Sequence, residues 1–449
     1  MTDETLTPLG RRIIRIALPA IINNITVPLL GLCDTAVAGH LGNAVFLGAM
    51  SVGTMMLNVI FWLCGFLRMG TSGLTAQAFG AGDAALGRDI LRKSLMIAAL
   101  ISAAAIICRV PLLALLMKTV GADHEVAALA ERYFMICIWG APAQLGMMAV
   151  SGWFIGRQNT VVPMTVAIGV NVVNIVLSLL LVFGIGLGFT GIAAGTLCAG
   201  WTGLVAALIF VRRELRAQSR ESAQLPETPR RQPQRARWSR FFSLNADLFF
   251  RSACIMGVSL AMTAVGARLG ETTLAANAVI MQFFLFFSYF MDGFAFAAEA
   301  LVGKAAGALD IGALRGTVRS LLRTGAVLAL IFLFIYFGGA GTITALLTDS
   351  TEVRDTVGSL HFWVTALPVV SVAAFIFDGI FIGLARTRPL FVTTAVAAAI
   401  FFMITFMLPP GGELPSESML WCAFESYLLA RGILLAGVYV KLQRKSLIL

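Results

Sequence analysis

The sequence predicts an all-α integral membrane protein of twelve transmembrane helices in two six-helix halves of the same orientation. Three observations carry that expectation. Of 449 residues, 59% are hydrophobic and 12% charged, with a mean hydropathy of +0.89, which is more apolar content than a water-soluble core can use. Twelve apolar runs approach the roughly 20 residues that cross a bilayer as a helix. Two separated segments also recur at one fixed offset in the second half.

The runs of the first half fall at about 13–37, 45–67, 95–116, 127–149, 161–183 and 191–211. The first follows Arg11, Arg12 and Arg15 as a signal sequence would. It is longer than a secretory apolar core and has no small-residue cleavage site, so it is expected to stay in the protein. Runs at about 249–267, 274–298, 321–347, 361–384, 390–408 and 419–442 make up the second half. Between the halves, residues 212–240 hold nine Arg against Glu214, Glu221 and Glu227, with Pro226, Pro229 and Pro233. That composition reads as a disordered basic connector that touches anionic headgroups. A nucleic-acid role would need an aromatic platform, and none accompanies these arginines. The expected organisation is therefore an N-terminal lobe 1–211, a basic cytoplasmic linker 212–240 and a C-terminal lobe 241–449.

Basic residues alternate by loop. Arg11, Arg12 and Arg15, then Arg88, Arg92 and Lys93, then Arg157, the linker, Lys304 with Arg315, Arg319 and Arg323, Arg386 with Arg388, and Lys441 with Arg444 and Lys445 fall on one side. The positive-inside rule makes that side, and both termini, cytoplasmic. Seven cysteines are scattered without a CxxC pair and read as packing residues. The three separated histidines, His40, His124 and His361, offer no metal site.

The repeat aligns LTAQAFGAGD at 74–83 on LVGKAAGALD at 301–310, and SGWFIGRQNT at 151–160 on DGIFIGLART at 378–387. Both pairs are offset by 227 residues without gaps. Six helices per repeat is an even number, so the halves share one orientation and are related by an axis along the membrane normal. The cleft between them is the natural substrate path.

Within the first apolar run, residues 28–42 (PLLGLCDTAVAGHLG) set one carboxylate, Asp34, in hydrocarbon. An ionised Asp there costs roughly 3 kcal/mol on insertion scales, so such residues pair, face water or titrate. Two readings are open: a functional acid, or a neutral, hydrogen-bonded Asp that satisfies backbone freed near Pro28, whose missing N–H interrupts the helix ladder.

Residues 28–42, the segment FLRMGTSGLTAQAFG at 66–80, LGETTLAANAV at 269–279 and FDGIFIG at 377–383 resemble the multidrug and toxic compound extrusion (MATE) family, specifically its DinF branch. The resemblance covers nearly the whole chain apart from the linker. It implies two lobes around a central V-shaped cavity in a bacterial plasma (inner) membrane. It also implies a cation-coupled antiporter that exports organic, often cationic or amphipathic compounds, with no cofactor. In that family an acid of helix 1, an Asn and an acid of helix 5 and a Thr of helix 6 form an ion-coupling network. The matching positions here are Asp34, Asn174, Ser178 and Thr196, so the second acid is replaced by a hydroxyl. A lone carboxylate is a poor cage for bare Na+, which favours several hard oxygen ligands. The proton is therefore the expected coupling ion, with Na+ the alternative. At about 1.5 Å per residue, Asp34, Ser178 and Thr196 all lie roughly 7–9 Å below the outer surface and could meet.

Further polar residues have open roles. Asn171 shares a helix face with Asn174 and reads as a pocket residue or as interhelical hydrogen-bond glue. Asp292 and Glu299, seven apart, lie on similar faces of helix 8, with Glu299 in reach of Lys304. Asp378 lies near the inner end of helix 10, where Arg386 and Arg388 could neutralise it. These three acids and Arg68 of helix 2 are candidates for substrate or gate contact, or for structure. Asp247 and Arg251, at i and i+4, read as a helix ion pair. Glu425 has no assignment. Of Phe283, Phe284, Phe286, Phe287 and Phe290 with Met281 and Met291, most should pack in the core or face lipid. Any that reached the cavity would suit varied apolar ligands. Pro28 is a candidate hinge. The protein is expected to work as a monomer on small-molecule substrates in contact with membrane lipid. A lipid-linked substrate flippase would need a basic cavity lining, and Arg68, Arg109 and Arg251 lie only near helix ends. An enzyme would need a nucleophile or metal motif, and no HExxH or GxSxG occurs.

Overall fold

The computed structural model describes residues 9–41, 43–118, 123–224, 238–409 and 414–445. Among these, twelve helices are long and apolar enough to cross a membrane. They are α1 Leu9–Gly39, α2 Ala44–Gly80, α3 Ala84–Ile107, α4 His124–Gly156, α5 Val161–Gly184, α6 Phe189–Gln224, α7 Trp238–Leu269, α8 Glu271–Gly307, α9 Ile311–Leu347, α10 His361–Gly383, α11 Thr387–Phe406 and α12 Glu417–Arg444. No strand occurs among the described residues.

Helices outrun the apolar runs because hydropathy marks only the portion in hydrocarbon, whereas caps set the real ends. Asp83 accepts from Leu86 N at 2.8 Å and starts α3 eleven residues before its apolar run. The run expected at 95–116 is also interrupted. α3 ends at Ile107, and a separate short helix, Arg109–Met117, follows with Pro111 in its first turn. The basic connector needs a larger correction, since its first part is ordered as the continuation of α6 to Gln224. Extending a fixed helix costs less than nucleating a new one, and Arg, Glu, Ala and Gln propagate well. An ion pair from Glu214 to Arg157, at the end of α4, anchors the extension. The rest of the connector, 225–237, lies outside the described residues.

The chain forms two compact units, Ile22–Trp238 and Met1–Ile21 with Ser239–Leu449, so α1 contributes to both. In the first, Gly53 of α2 yields its Cβ space to the Tyr133 ring of α4. Ile138, Phe134, Ala130 and Ile192 fill the interior around it. In the second, the aromatic stripe of α8 is largely core. Phe283, Phe287 and Met291 are buried, Phe283 and Phe287 pack edge-on against Tyr336 and Phe332 of α9, and Phe284 against Phe424 of α12. Phe286 stays exposed.

The 227-residue offset reappears in the backbone. A Cβ on Gly152 of α4 would strike the Arg68 carbonyl of α2, and one on Gly379 of α10 the Ala295 carbonyl of α8. One turn on, a Cβ on Gly156 would lie 2.5 Å from Ser72 O, and one on Gly383 would lie 2.8 Å from Glu299 O. The turns match as well. Gly82 and Leu309 are left-handed at φ +69° and +58°, as are Gln158 and Ala385 at +65° and +51°. Asp310 caps α9 through Ala313 N as Asp83 caps α3. A left-handed backbone at three non-glycine residues is uncommon enough that its recurrence in register marks duplication.

Candidate functional site

In the unit Ile22–Trp238, α5 and α6 approach closely at Gly195, where an added Cβ would lie 2.6 Å from Ser178 Oγ. That approach lets short polar side chains reach one another inside an apolar environment. Asn174 donates Nδ2 to Thr196 Oγ1 at 3.0 Å, Ser178 donates Oγ to Asn174 Oδ1 at 3.4 Å, and Thr196 donates Oγ1 to Ile192 O at 3.1 Å. Asn174 and Ser178 are fully buried. Three of the four residues in the expected network therefore meet in one hydrogen-bonded chain across α5 and α6.

Asp34, five residues before the end of α1, is 8% exposed. Its Oδ1 has no hydrogen-bond partner, so the acid stands outside the α5–α6 chain. Tyr133 and Cys137 of α4 both lie within range of its charge. The Tyr133 hydroxyl reaches the side chains of Thr54 and Thr196, and Cys137 donates Sγ to Ala193 O at 3.6 Å. Tyr133 thus ties α2, α4 and α6 together beside Asp34. Sequence reasoning missed it; the available signal was a tyrosine deep in an apolar run, where a hydroxyl must find a partner. Among the described residues, the Asp34 carboxylate has neutral side chains within range and no ion-pair partner, which suits gain and loss of a proton.

Asn171 donates Nδ2 to Thr26 O of α1 at 2.9 Å, two residues before Pro28. It therefore bridges α5 to the proline-bearing stretch of α1, which continues as helix through Pro28. Arg68 is half-buried in α2.

The second unit is arranged differently. Asp378 of α10 does not meet Arg386 or Arg388. Its Oδ2 pairs with Arg251 of α7 and, at 2.6 Å, with Arg431 of α12. Arg431 also donates to Tyr427 Oη at 3.2 Å. All three charged side chains are at most 8% exposed. The expected Asp247–Arg251 pair is likewise replaced. Asp247 accepts from Thr387 Oγ1 at 3.0 Å and from Arg388 at 3.4 Å. An i, i+4 spacing identifies one possible partner, but Arg251 and Arg431 each turn Nη2 to Asp378 Oδ2, where burial is deepest. Glu299 is buried and Asp292 half-buried on α8.

A family model described as MatE matches the chain twice, at 19–180 and 248–407. The chain belongs to the MatE family. The ends of the two MatE matches are 227 residues apart, the offset of the repeat. This MatE chain is 37% identical over 97% of its length, and 93% of the relative's, to DNA damage-inducible protein F of Escherichia coli K12. It is 27% identical to a probable multidrug resistance protein NorM of Bradyrhizobium diazoefficiens, over 88% of this chain and 84% of that one. Among solved structures, the Vibrio cholerae MATE transporter VcmN in its bent form superposes with a TM-score of 0.81 at 19% identity, covering 97% of each chain. That likeness establishes the MatE fold as a twelve-helix, multi-pass membrane architecture.

Proposed function

We propose that this MatE chain is a secondary active multidrug efflux antiporter that exports organic, often cationic or amphipathic compounds in exchange for protons by alternating access. The observation that carries the reading is Asp34: a buried carboxylate with an unpartnered oxygen, set in a transmembrane helix within electrostatic range of Tyr133 and Cys137, in the same unit as the Asn174–Ser178–Thr196 chain. A charge so placed is costly when ionised and cheap when protonated, so its protonation state can bias helix packing. Ser178 leaves the network one carboxylate, which argues against a Na+ cage. The similarity to a probable multidrug resistance protein and to a MATE transporter supports the efflux class. The transporter would sit in a bacterial inner membrane with both termini cytoplasmic, from the loop charges.

Protonation would let α1 pack more deeply against α5 and α6, with the bend taken up at Pro28. The test is export of labelled compounds from vesicles under separately imposed proton and sodium gradients. A proton gradient is expected to drive export and Asp34→Asn to abolish it while the protein stays folded. Export that follows only the sodium gradient would reverse the ion assignment, and normal export by Asp34→Asn would remove Asp34 from the mechanism.

A further inference from the structure

The second unit buries one acid that this mechanism leaves idle. Glu425 of α12 is 5% exposed, and its Oε1 has no hydrogen-bond partner. Neighbours on the same helix fix the direction it faces. Trp421, one turn earlier on the same face, donates Nε1 to Asn277 Oδ1 of α8 at 2.7 Å, and Phe424 packs edge-on against Phe284 of α8 at 5.3 Å. Glu425 therefore stands at the α8–α12 contact, one turn inward of Asn277. That asparagine is itself 5% exposed, and its Nδ2 has no partner. That Nδ2 is packed against Gly266 of α7, where an added Cβ would lie 2.7 Å from it, so the Glu425 carboxyl has no amide partner.

Charged groups on the surrounding helices do not account for Glu425. On α12 itself, Glu417 is bonded to Thr273 and Arg431 to Asp378, with Lys441 and Arg444 near the far end. On α10 the charged and titratable groups are His361 and the doubly paired Asp378, and on α11 only Arg388, which meets Asp247. On α8 they are Glu271, Asp292, Glu299 and Lys304. Among the described residues, none of these forms an ion pair with Glu425 or a hydrogen bond to its Oε1. An isolated carboxylate in such surroundings is strongly disfavoured as an anion.

We propose that Glu425 is a second proton-binding site, in addition to Asp34: the acid, buried without an ion-pair partner, holds its proton as it stands here and gives it up at high pH. The coupling role of this site rests on the antiport reading, while proton binding itself does not. Infrared difference spectra of the purified protein in liposomes, stepped from low to high pH, test it directly. The native protein should show two protonated-acid carbonyl signals that titrate away. Glu425→Gln should lose one and Asp34→Asn the other, and Glu425→Asp should keep a shifted counterpart of its own. In transport, Glu425→Gln should halve the protons taken up per substrate exported. A Glu425→Gln spectrum with both titrating signals intact overturns the proposal. Loss of the Glu425 signal in a protein whose export ignores the proton gradient would instead keep the site and defeat the antiport reading.

Discussion

The α2–α4 contact of the first half and the α8–α10 contact of the second use glycine at four positions related by 227 residues to bring backbone against backbone. The polar interiors built on that shared frame are opposite in kind. In the first half, Asp34 keeps an oxygen without a partner, within range of the neutral Tyr133 and Cys137 side chains. Near α10, Asp378 is clamped between Arg251 and Arg431. A carboxylate held by two buried cations is committed to its ion pairs, whereas one without a countercharge is costly to keep ionised in an apolar setting. Duplication thus supplied two copies of a scaffold and left each free to acquire its own electrostatics, an unpaired acid at Asp34 and a doubly paired one at Asp378.

The largest expected effect tests that contrast. Asp378→Asn leaves Arg251 and Arg431 buried without their anion, and removing one partner of a buried pair costs about 3–5 kcal/mol. Asp34→Asn removes a group with no ion pair and should change stability by less than about 1 kcal/mol. Unfolding of both variants in one detergent, followed by temperature or denaturant, measures the difference. Equal losses would mean that Asp34 is as structurally committed as Asp378, and the contrast between halves would fall.

The next effect sharpens the comparison by testing what the halves share. Gly152→Ala and Gly379→Ala each push a methyl group into a backbone carbonyl, of Arg68 and of Ala295. Neither carbonyl can rotate away as a flexible side chain would, so each variant should lose about 1–3 kcal/mol. Similar losses are expected because the contacts are equivalent. A large loss in one half alone would show that the two contacts carry unequal loads despite their matched geometry.

These glycines also show how much of the molecule was legible in the sequence. The repeat quoted at 151–160 and 378–387 contained all four, and the offset drawn from it holds in caps, turns and close approaches. The twelve helices were readable because bilayer thickness converts directly into run length. The Asn174–Ser178–Thr196 chain was legible through the family resemblance, with the matching depths of Ser178 and Thr196 in agreement. Partners across distant helices were not. Asp378 could be placed near Arg386 and Arg388 along the chain, but Arg251 and Arg431 lie 127 and 53 residues away and reach it only through packing. The ordered continuation of α6 was missed for a related reason: composition cannot see that Arg157 is waiting for Glu214.

A smaller effect belongs to the neutral network itself. Asn174→Ala removes the donor to Thr196 and the acceptor for Ser178. Interhelical hydrogen bonds in membranes are worth about 0.6 kcal/mol on average and up to about 1.7, so a stability loss near 1 kcal/mol is expected, together with a much larger loss of gradient-driven export. Loss of stability without loss of export would make the chain structural glue and leave Asp34 to act without it.

The smallest stability effect is expected at Asn171, and it separates a fixed kink from a hinge. Pro28 cannot donate to the carbonyl four residues earlier, so α1 is weakened there whatever its function. The Asn171 amide reaches Thr26 O from α5, and Thr26 also donates Oγ1 to Asn23 O at 2.7 Å. The weakened stretch is therefore braced by one bond from another helix and one of its own. Asn171→Ala deletes only the first, so unfolding should shift by about 0.6 kcal/mol. If α1 bends about Pro28 with the state of Asp34, the lost brace should broaden the distances between spin labels on α1 and α5 and enlarge their change between low and high pH. If the proline kink is static, the distances will be narrow, insensitive to pH and the same in both proteins. Coupling would then have to pass through rigid movement of whole helices, with Asn171 serving only to hold α5 against α1.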